Sequence, residues 1–274
     1  MATVNRTRQI QEFLVHLDRQ TYRQFELIVV DQNRDNRLED ILEPYRNRFT
    51  IRYLRISVRG ASHARNIGIP YGKGDIFTFP DDDCWYPPTL LEEVCLFFSK
   101  HPETDILSAR SADHCMEHSH LSWSRSEGYI NKYSLWNRVI EFTMFLRSEV
   151  VHHVGGFDES MGVGAGTRWG SGEGPDYLLR ALEADFSIYY NPQYVIYHPR
   201  PVGCYDASSI TRAYSYGGGI GALLKKHRYP LWFVLFQWFR SAGGVLTSLL
   251  SAKWNKAKYY LAALRGKVTG WFTR

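Results

Sequence analysis

Three consecutive carboxylates, Asp81-Asp82-Asp83, stand directly behind the apolar run Asp75-Ile-Phe-Thr-Phe79-Pro80 and ahead of Cys84-Trp85-Tyr86-Pro87. Like charges in a row repel unless a cation neutralises them. Hard divalent cations take one or two carboxylates together with phosphate oxygens. A solvated acidic turn is the plain alternative, and the flanking aromatics after a buried run argue against it. A second apolar run, Phe25-Glu-Leu-Ile-Val-Val30, ends on Asp31, with Asn33 and Asp35 close behind. Between the two runs lies Gly60-Ala-Ser-His-Ala-Arg65-Asn66-Ile-Gly68. There a glycine turn opens a helix with a guanidinium near its N-terminus, a setting suited to phosphate.

These groups need a scaffold that brings strand ends together. Apolar spacing at Ile10, Phe13, Leu14 and Leu17 predicts a helix over about 7–20. A buried strand follows at 25–31, then a helix at 38–48 and a short strand at 51–54. A helix at 62–71, a strand at 75–79, a helix at 88–100 and a strand at 105–109 complete the first part. This β-α-β alternation is the pattern of a doubly wound α/β sheet, whose ligands bind outside the carboxyl ends of the strands. Residues 110–170 read as irregular. A helix is expected from about Pro175, then strands at 187–190 and 194–197 with a turn at Asn191-Pro192 between them.

The chain of 274 residues is long enough for a core without disulfides or metals as staples. Cys84, Cys95, Cys115 and Cys204 have no metal-binding or framework spacing and read as free thiols. The N-terminal residues lack an apolar signal region, so the expected location is the cytoplasmic side. Charge is uneven: residues 201–274 carry 11 of the 33 Lys and Arg but one of the 28 acidic residues, Asp206. Trp232, Trp238, Trp254 and Trp271 are interspersed with those cations, the composition of a helix lying in a membrane interface. The continuous apolar stretch, Leu231 to Phe236, is too short for a span of ~20 apolar residues. Packing of this tail on the body is the alternative. Nucleic acid is disfavoured because so much of the tail is apolar.

Taken together, the motifs resemble the family-2 inverting glycosyltransferases of the GT-A fold. The matching pieces, in family order over residues 2 to about 200, are Thr3-Val-Asn5-Arg6, Phe25 to Asn33 with Asp35, Ala64 to Gly68, Asp81 to Asp83, Val154-Gly-Gly-Phe-Asp158-Glu159, Glu173 to Arg180, and His198-Pro199. The resemblance implies a GT-A catalytic domain over 1–205, with a nucleotide-binding half at about 1–110 and an acceptor half at about 111–205. Residues 206–274 would form a membrane-associating helical region. Donor contacts would come from Thr3, Asn5, Arg6, Asp31, Asn33, Asp35, Arg65, Asn66, Asp81 and Asp82. A divalent metal, Mn²⁺ or Mg²⁺, would sit on Asp82, Asp83 and His198, with the register of the Asp open to a shift of one. His198 has a buried strand-end histidine as its alternative. The base would be Asp176, with Glu173 as partner or replacement; the family's Asp beside Glu173 is Gly174 here. Asp158, Glu159 and Trp169 would face the acceptor.

The implied reaction moves a sugar from a nucleotide-sugar, UDP by family habit, to a hydroxyl of a glycan or lipid-linked acceptor, with inversion. Its implied setting is bacterial surface polysaccharide or glycolipid synthesis at the membrane surface. A full first strand has about five residues, whereas only Ala2-Thr3-Val4 precede Asn5. The first strand is therefore expected to be clipped, or its start assigned too far downstream, with a weakened nucleotide pocket. Competing readings are a membrane-bound partner subunit without activity, a sugar-1-phosphate nucleotidyltransferase, which lacks support in a glycine-rich N-terminal loop, and a nucleic-acid-binding module.

Overall fold

The computed structural model of the chain describes residues 1–113, 123–199 and 204–273. Cys115 and part of the irregular middle lie outside them. The chain divides into two compact units, Met1–Phe157 with Tyr177–Pro201, and Asp158–Asp176 with Val202–Arg274. Residues 158–176, expected from sequence within the acceptor half at about 111–205, group with the C-terminal helices.

In the first unit, strand β1 is only Ala2–Thr3. Helix α1 (Arg8–Asp18) buries Ile10, Phe13, Leu14 and Leu17, the stripe that a 3.6-residue period places on one face. Strand β2 (Glu26–Asp31) carries the buried apolar run. The helix expected over 38–48 is one turn, α2 (Glu39–Leu42), continued as a 3₁₀ turn at Glu43–Tyr45. Pro44 lacks the N–H needed to extend it. Strand β3 (Thr50–Arg55), helix α3 (Ala61–Gly68), strand β4 (Ile76–Thr78) and helix α4 (Leu90–Lys100) follow. Then come β5 (Ile106–Ala112), β6 (Gly128–Tyr129), β7 (Met144–Arg147) and α5 (Ser148–Val154).

Helix α6 (Glu173–Glu183) begins two residues before Pro175, which its first turn tolerates because that N–H needs no intrahelical partner. Strand β8 (Ile188–Tyr197) runs straight through the expected turn. Tyr190 pairs with Ser108 and Val195 with Arg110, so Asn191–Tyr194 form a bulge rather than a break. Arg110 Nε donates to the Pro192 carbonyl at 2.8 Å across it.

The sheet order is β1-β2-β3 in one sheet and β4-β7-β5-β8-β6 in the other. The first is wholly parallel. The second is mixed, with β7 antiparallel to β4 and β5, β6 antiparallel to β8, and β5 parallel to β8. One doubly wound, mostly parallel sheet was expected. β7 and β6 reverse direction, and among the described residues β1 pairs only with β2, so the strands form two sheets. The main core lies under α1 and α4 and joins Phe13, Leu14, Val29, Val94, Leu107 and Phe145.

The second unit contains α7 (Ala207–Lys226), α8 (Leu231–Leu250) and α9 (Trp254–Thr273). Asp206 caps α7 by accepting from the Ser209 N–H at 2.7 Å. α7 and α9 meet backbone to backbone. A Cβ on Gly221 would fall 2.1 Å from the Lys267 carbonyl oxygen, and one on Gly266 2.1 Å from that of Tyr214. Small residues four apart on both helices make that approach possible. α8 continues past Gly243-Gly244 for its full 20 residues and is long and apolar enough, by length and composition, to cross a membrane. The stretch Leu231–Phe236 alone did not suggest this. Phe233, Val234 and Gln237 are buried, whereas Trp232, Phe236, Phe239, Leu246 and Leu250 are more than half exposed.

Candidate active site

β4 ends at Thr78, and the acidic triplet turns away from its end. The Cys84 N–H closes that turn on the Asp81 carbonyl at 3.3 Å. Trp85 then forms an antiparallel bridge with Tyr197 at the end of β8. This sets the triplet beside His198. Oxygens of Asp81 and Asp83 and a ring nitrogen of His198 all lie within 4.8 Å of one another. His198 Nε2 is 2.9 Å from Asp83 Oδ1 and 3.9 Å from Asp81 Oδ2. Nδ1 is 2.7 Å from the Pro199 carbonyl, and the ring stacks on Phe142 at 4.8 Å. Burial disfavours the His198 cation, but the Asp83 hydrogen bond and charge outweigh it and raise its affinity for a proton. Burial likewise disfavours ionised Asp83, yet His198 and Arg6 bring its carboxylate down to about 2. Two carboxylates and an imidazole whose other nitrogen is oriented by a carbonyl suit a divalent cation.

Asp82, expected on the metal, is turned elsewhere. Its Oδ2 accepts from the Thr3 hydroxyl at 2.7 Å and its Oδ1 lies 3.0 Å from Arg6 Nη1, which also pairs with Asp83. Burial pushes the Asp82 carboxyl up to about 6, against the lowering effect of Thr3 and Arg6. The group that could hold a metal ion is therefore Asp81, Asp83 and His198, with the outer two carboxylates of the triplet rather than the middle one. Sequence alone allowed a shift of one, and the turn after β4 brings Asp81 rather than Asp82 to Asp83 and His198.

Thr3 pairs in register with Asp31, so the ends of β1 and β2 lie side by side. Asp31 is fully buried. Its Oδ1 accepts from both the backbone and side-chain amides of Asn33 at 2.8 and 2.6 Å, and its Oδ2 from the Tyr53 hydroxyl at 2.6 Å. Asn33 in turn accepts from the Asn5 N–H at 2.7 Å. Asn5 has φ 59°, a left-handed conformation that Asn tolerates. Arg65 is buried beneath this edge, 3.2 Å from Asp81, 3.9 Å from Glu141 and over the Phe157 ring.

Two expected donor contacts lie apart from this cluster. Asp35 is exposed and forms a two-pronged pair with Arg37 at 2.6 and 2.7 Å. Asn66 gives its side-chain amide to the Phe157 backbone, donating at 2.9 Å and accepting at 2.7 Å. It clamps that loop; a Cβ on neighbouring Gly156 would strike it.

Within the second unit, Asp176 is fully buried. One of its oxygens meets Lys226 Nζ at 2.6 Å and His227 Nε2 at 2.9 Å. Lys226 also reaches Asp158 at 2.7 Å, whose other oxygen accepts from the Ser160 hydroxyl and N–H. Asp176 and Asp158 are thus brought together, bridged by a lysine from the end of α7. Glu173 opens α6 and its carboxyl lies under Gly162, where any Cβ would come within 3.0 Å of it. Gly162, Gly164, Gly166 and Gly172 all take positive φ in the loop that carries Trp169, which is half-buried. Glu159 is exposed.

Sequence reasoning missed Tyr53, Phe142, Glu141, Lys226 and His227. Tyr53, like Ile51, is a partly buried position alternating with exposed Thr50 and Arg52 on β3, which is a weak signal. Lys226-His227 sit at the end of a helix read as part of a basic tail, so their charge was taken for surface charge.

The model of the family described as "Glycosyl transferase family 2" matches residues 1–153. An uncharacterized glycosyltransferase of Haemophilus influenzae is 30% identical over 104 residues, 38% of this chain and 34% of that protein. The poly(ribitol-phosphate) β-N-acetylglucosaminyltransferase TarS of Staphylococcus aureus is 27% identical over 109 residues, 38% of this chain and 19% of TarS. The matched stretch therefore spans about a third or less of either relative. Among solved structures, residues 1–349 of TarS in complex with UDP-GlcNAc align with TM-score 0.59 at 17% identity, covering 97% of this chain and 89% of that one. The mannosyltransferase PcManGT of Pyrobaculum calidifontis, in complex with GDP-Man and Mn²⁺, aligns with TM-score 0.66 at 15% identity, covering 97% and 85%. The fold is of the GT-A type.

Proposed function

Since this chain belongs to glycosyl transferase family 2, we propose that it transfers a sugar from a UDP-sugar to a hydroxyl acceptor, inverting the anomeric carbon. The convergence of Asp81, Asp83 and His198 beside Arg65 carries this reading. A divalent cation on those three residues would neutralise diphosphate charge. Imidazole among the ligands favours Mn²⁺ over Mg²⁺. Arg65 would add a fixed guanidinium for the charge that builds on the leaving diphosphate. Thr3 and Arg6 hold Asp82 and Asp83 in place from the β1 end. The nucleobase would lie against the Asp31–Asn33 edge, where Tyr53 fixes the carboxylate.

The acceptor proton would go to Glu173. Asp176 is the second candidate; its buried carboxylate lies against Lys226 and His227. A single displacement needs one base and no covalent intermediate. TarS, by its printed name, transfers N-acetylglucosamine, which makes UDP-GlcNAc the first donor to try. The exposed aromatic face of α8, in a tail with a basic excess, favours peripheral attachment at the cytoplasmic face of the membrane and a lipid-linked or glycan acceptor of a surface polysaccharide or glycolipid.

The test is calorimetry with UDP, GDP and UDP-GlcNAc, with and without Mn²⁺, on wild type and Asp83→Ala. One nucleotide bound tightly only with Mn²⁺, and lost in the variant, supports the reading. NMR of the product anomer then decides inversion, and Glu173→Gln should abolish turnover while retaining UDP. Tight donor binding without turnover on any acceptor would instead support a partner subunit without activity, a reading that Gly174 in place of the family's Asp favours. Vesicle flotation with and without anionic lipid, on wild type and Trp232→Ser/Phe239→Ser, tests membrane attachment.

A further inference from the structure

Segment 158–176 and helix α7 belong to the same compact unit, and α7 holds that segment at its middle and at both ends. At the middle the contacts are made to backbone. The Gly170 N–H donates to the Ser215 carbonyl at 3.2 Å, the Ser215 hydroxyl to the Arg168 carbonyl at 3.2 Å, and the Ser171 hydroxyl to the Tyr216 carbonyl at 2.9 Å. A Cβ on Gly219 would fall 2.1 Å from the Ser171 carbonyl oxygen, so the segment lies directly on the helix backbone.

At the ends a single ammonium makes the contact. Asp158 opens the segment and Asp176 closes it, and Lys226 Nζ lies 2.7 Å from the first carboxylate and 2.6 Å from the second. Without that cation the two carboxylates would repel. Closing a loop costs chain entropy, and glycines such as Gly162, at φ 97°, and Gly172, at φ 102°, add to it. Inside the closed loop the Gly162 N–H donates to the Trp169 carbonyl at 3.0 Å, and the Glu173 carboxyl lies against Gly162. The setting of Glu173 beside Gly162 and Trp169 therefore depends on the two ends staying together.

We propose that Lys226 is a positioning residue: its ammonium clasps the two ends of segment 158–176 and thereby sets Glu173 and Trp169 for the acceptor. It acts through Asp158 and Asp176 rather than on the reacting atoms, and its role rests on the reading of Glu173 as the base. A buried ion cluster adds little stability over apolar side chains of the same volume. What the ammonium supplies here is a link between two positions that the chain itself keeps apart. Ser160 donates to the Asp158 oxygen that Lys226 leaves, and His227 shares the Asp176 oxygen with it, so both carboxylates are oriented toward the lysine.

The test compares the full chain with Lys226→Met, Lys226→Arg and Lys226→Met/Asp176→Asn. The double variant leaves no unpaired charge at the buried position 176, and only exchange is read on it because Asp176 is the second base candidate. Amide exchange over residues 162–172, UDP affinity with Mn²⁺, and release of UDP from UDP-GlcNAc with water as acceptor are measured. Both Met variants should speed that exchange at least ~10-fold. Lys226→Met should lower kcat by ~10–100-fold with UDP affinity unchanged. Lys226→Arg, whose guanidinium can bridge two carboxylates, should recover most of both effects. Unchanged exchange in both Met variants would overturn the clasp. Faster exchange with unchanged kcat would uphold the clasp and overturn its part in setting Glu173. UDP affinity lost in step with kcat would mark a general structural defect and overturn the positioning role. Turnover retained in Glu173→Gln would overturn the base reading alone, since the exchange result decides the clasp independently of it.

Discussion

Trp85 and Tyr197 exchange both backbone hydrogen bonds, at 2.9 and 3.0 Å, and their rings stack 5.8 Å apart at 12°. This bridge joins the segment behind the acidic triplet to the end of β8, and so fixes Asp83 against His198. Trp85→Ala removes no ligand, yet it should weaken Mn²⁺ binding several-fold by loosening that juxtaposition. Calorimetric Mn²⁺ titration checks it, with near-UV circular dichroism to show that the fold persists.

The metal assignment separates three neighbouring carboxylates. Asp81→Asn, Asp83→Asn and His198→Ala should each lower Mn²⁺ affinity by at least ~10-fold, since loss of even an outer partner of a metal ligand costs about 10–100-fold. Asp82→Asn should change it much less. Equal losses at all three Asp positions would sink the assignment.

Thr3 supplies a hydroxyl to a buried carboxylate. Thr3→Val leaves Asp82 short of that donor, which should cost about 1–3 kcal/mol in urea unfolding. Thr3→Ser should restore most of it.

The contact between α7 and α9 admits no side chain at Gly221 or Gly266. Gly266→Val should destabilise by about 1–3 kcal/mol or more, whereas Gly243→Ala, with open space around its Cβ position, should not destabilise. Thermal melts of the two variants give the comparison.

Lys267 is buried in α9, with its ammonium 3.1 Å from the Gln237 carbonyl and 3.0 Å from the Ser241 hydroxyl. Burial, with a smaller push from Arg240, lowers its pKa from 10.5 to about 8. Between these values the unfolded chain holds the proton that the folded chain has lost. Stability referred to Lys267→Met should therefore be lowest and flat below about pH 8, and rise from there to about pH 10.5. The gain is bounded by about 3 kcal/mol. Chemical denaturation from pH 7 to 10.5 measures it, and a flat difference would show that the lysine titrates normally.

The order of strands and helices up to Ala112 was legible because each carries its own period: the stripe from Ile10 to Leu17, the run into Asp31 and the run into Pro80. Short elements were not. Pro44 cut α2 to one turn, and the Asn191-Pro192 pair bulged out of β8 because ladder bonds on either side held the strand together. These outcomes depend on partners distant in sequence.

By itself the sequence determined that carboxylates would stand at the ends of apolar strands, with an arginine on a helix between them. Residue type and period are local properties, written along one stretch of chain. Only the tertiary structure decided that Asp81 rather than Asp82 joins Asp83 and His198, because the choice depends on a turn closed by Cys84 and on a bridge to Tyr197. It likewise decided that Asp176 faces Lys226 and His227. Charge pairs between distant segments form only where packing brings them, and no spacing along the chain encodes that distance.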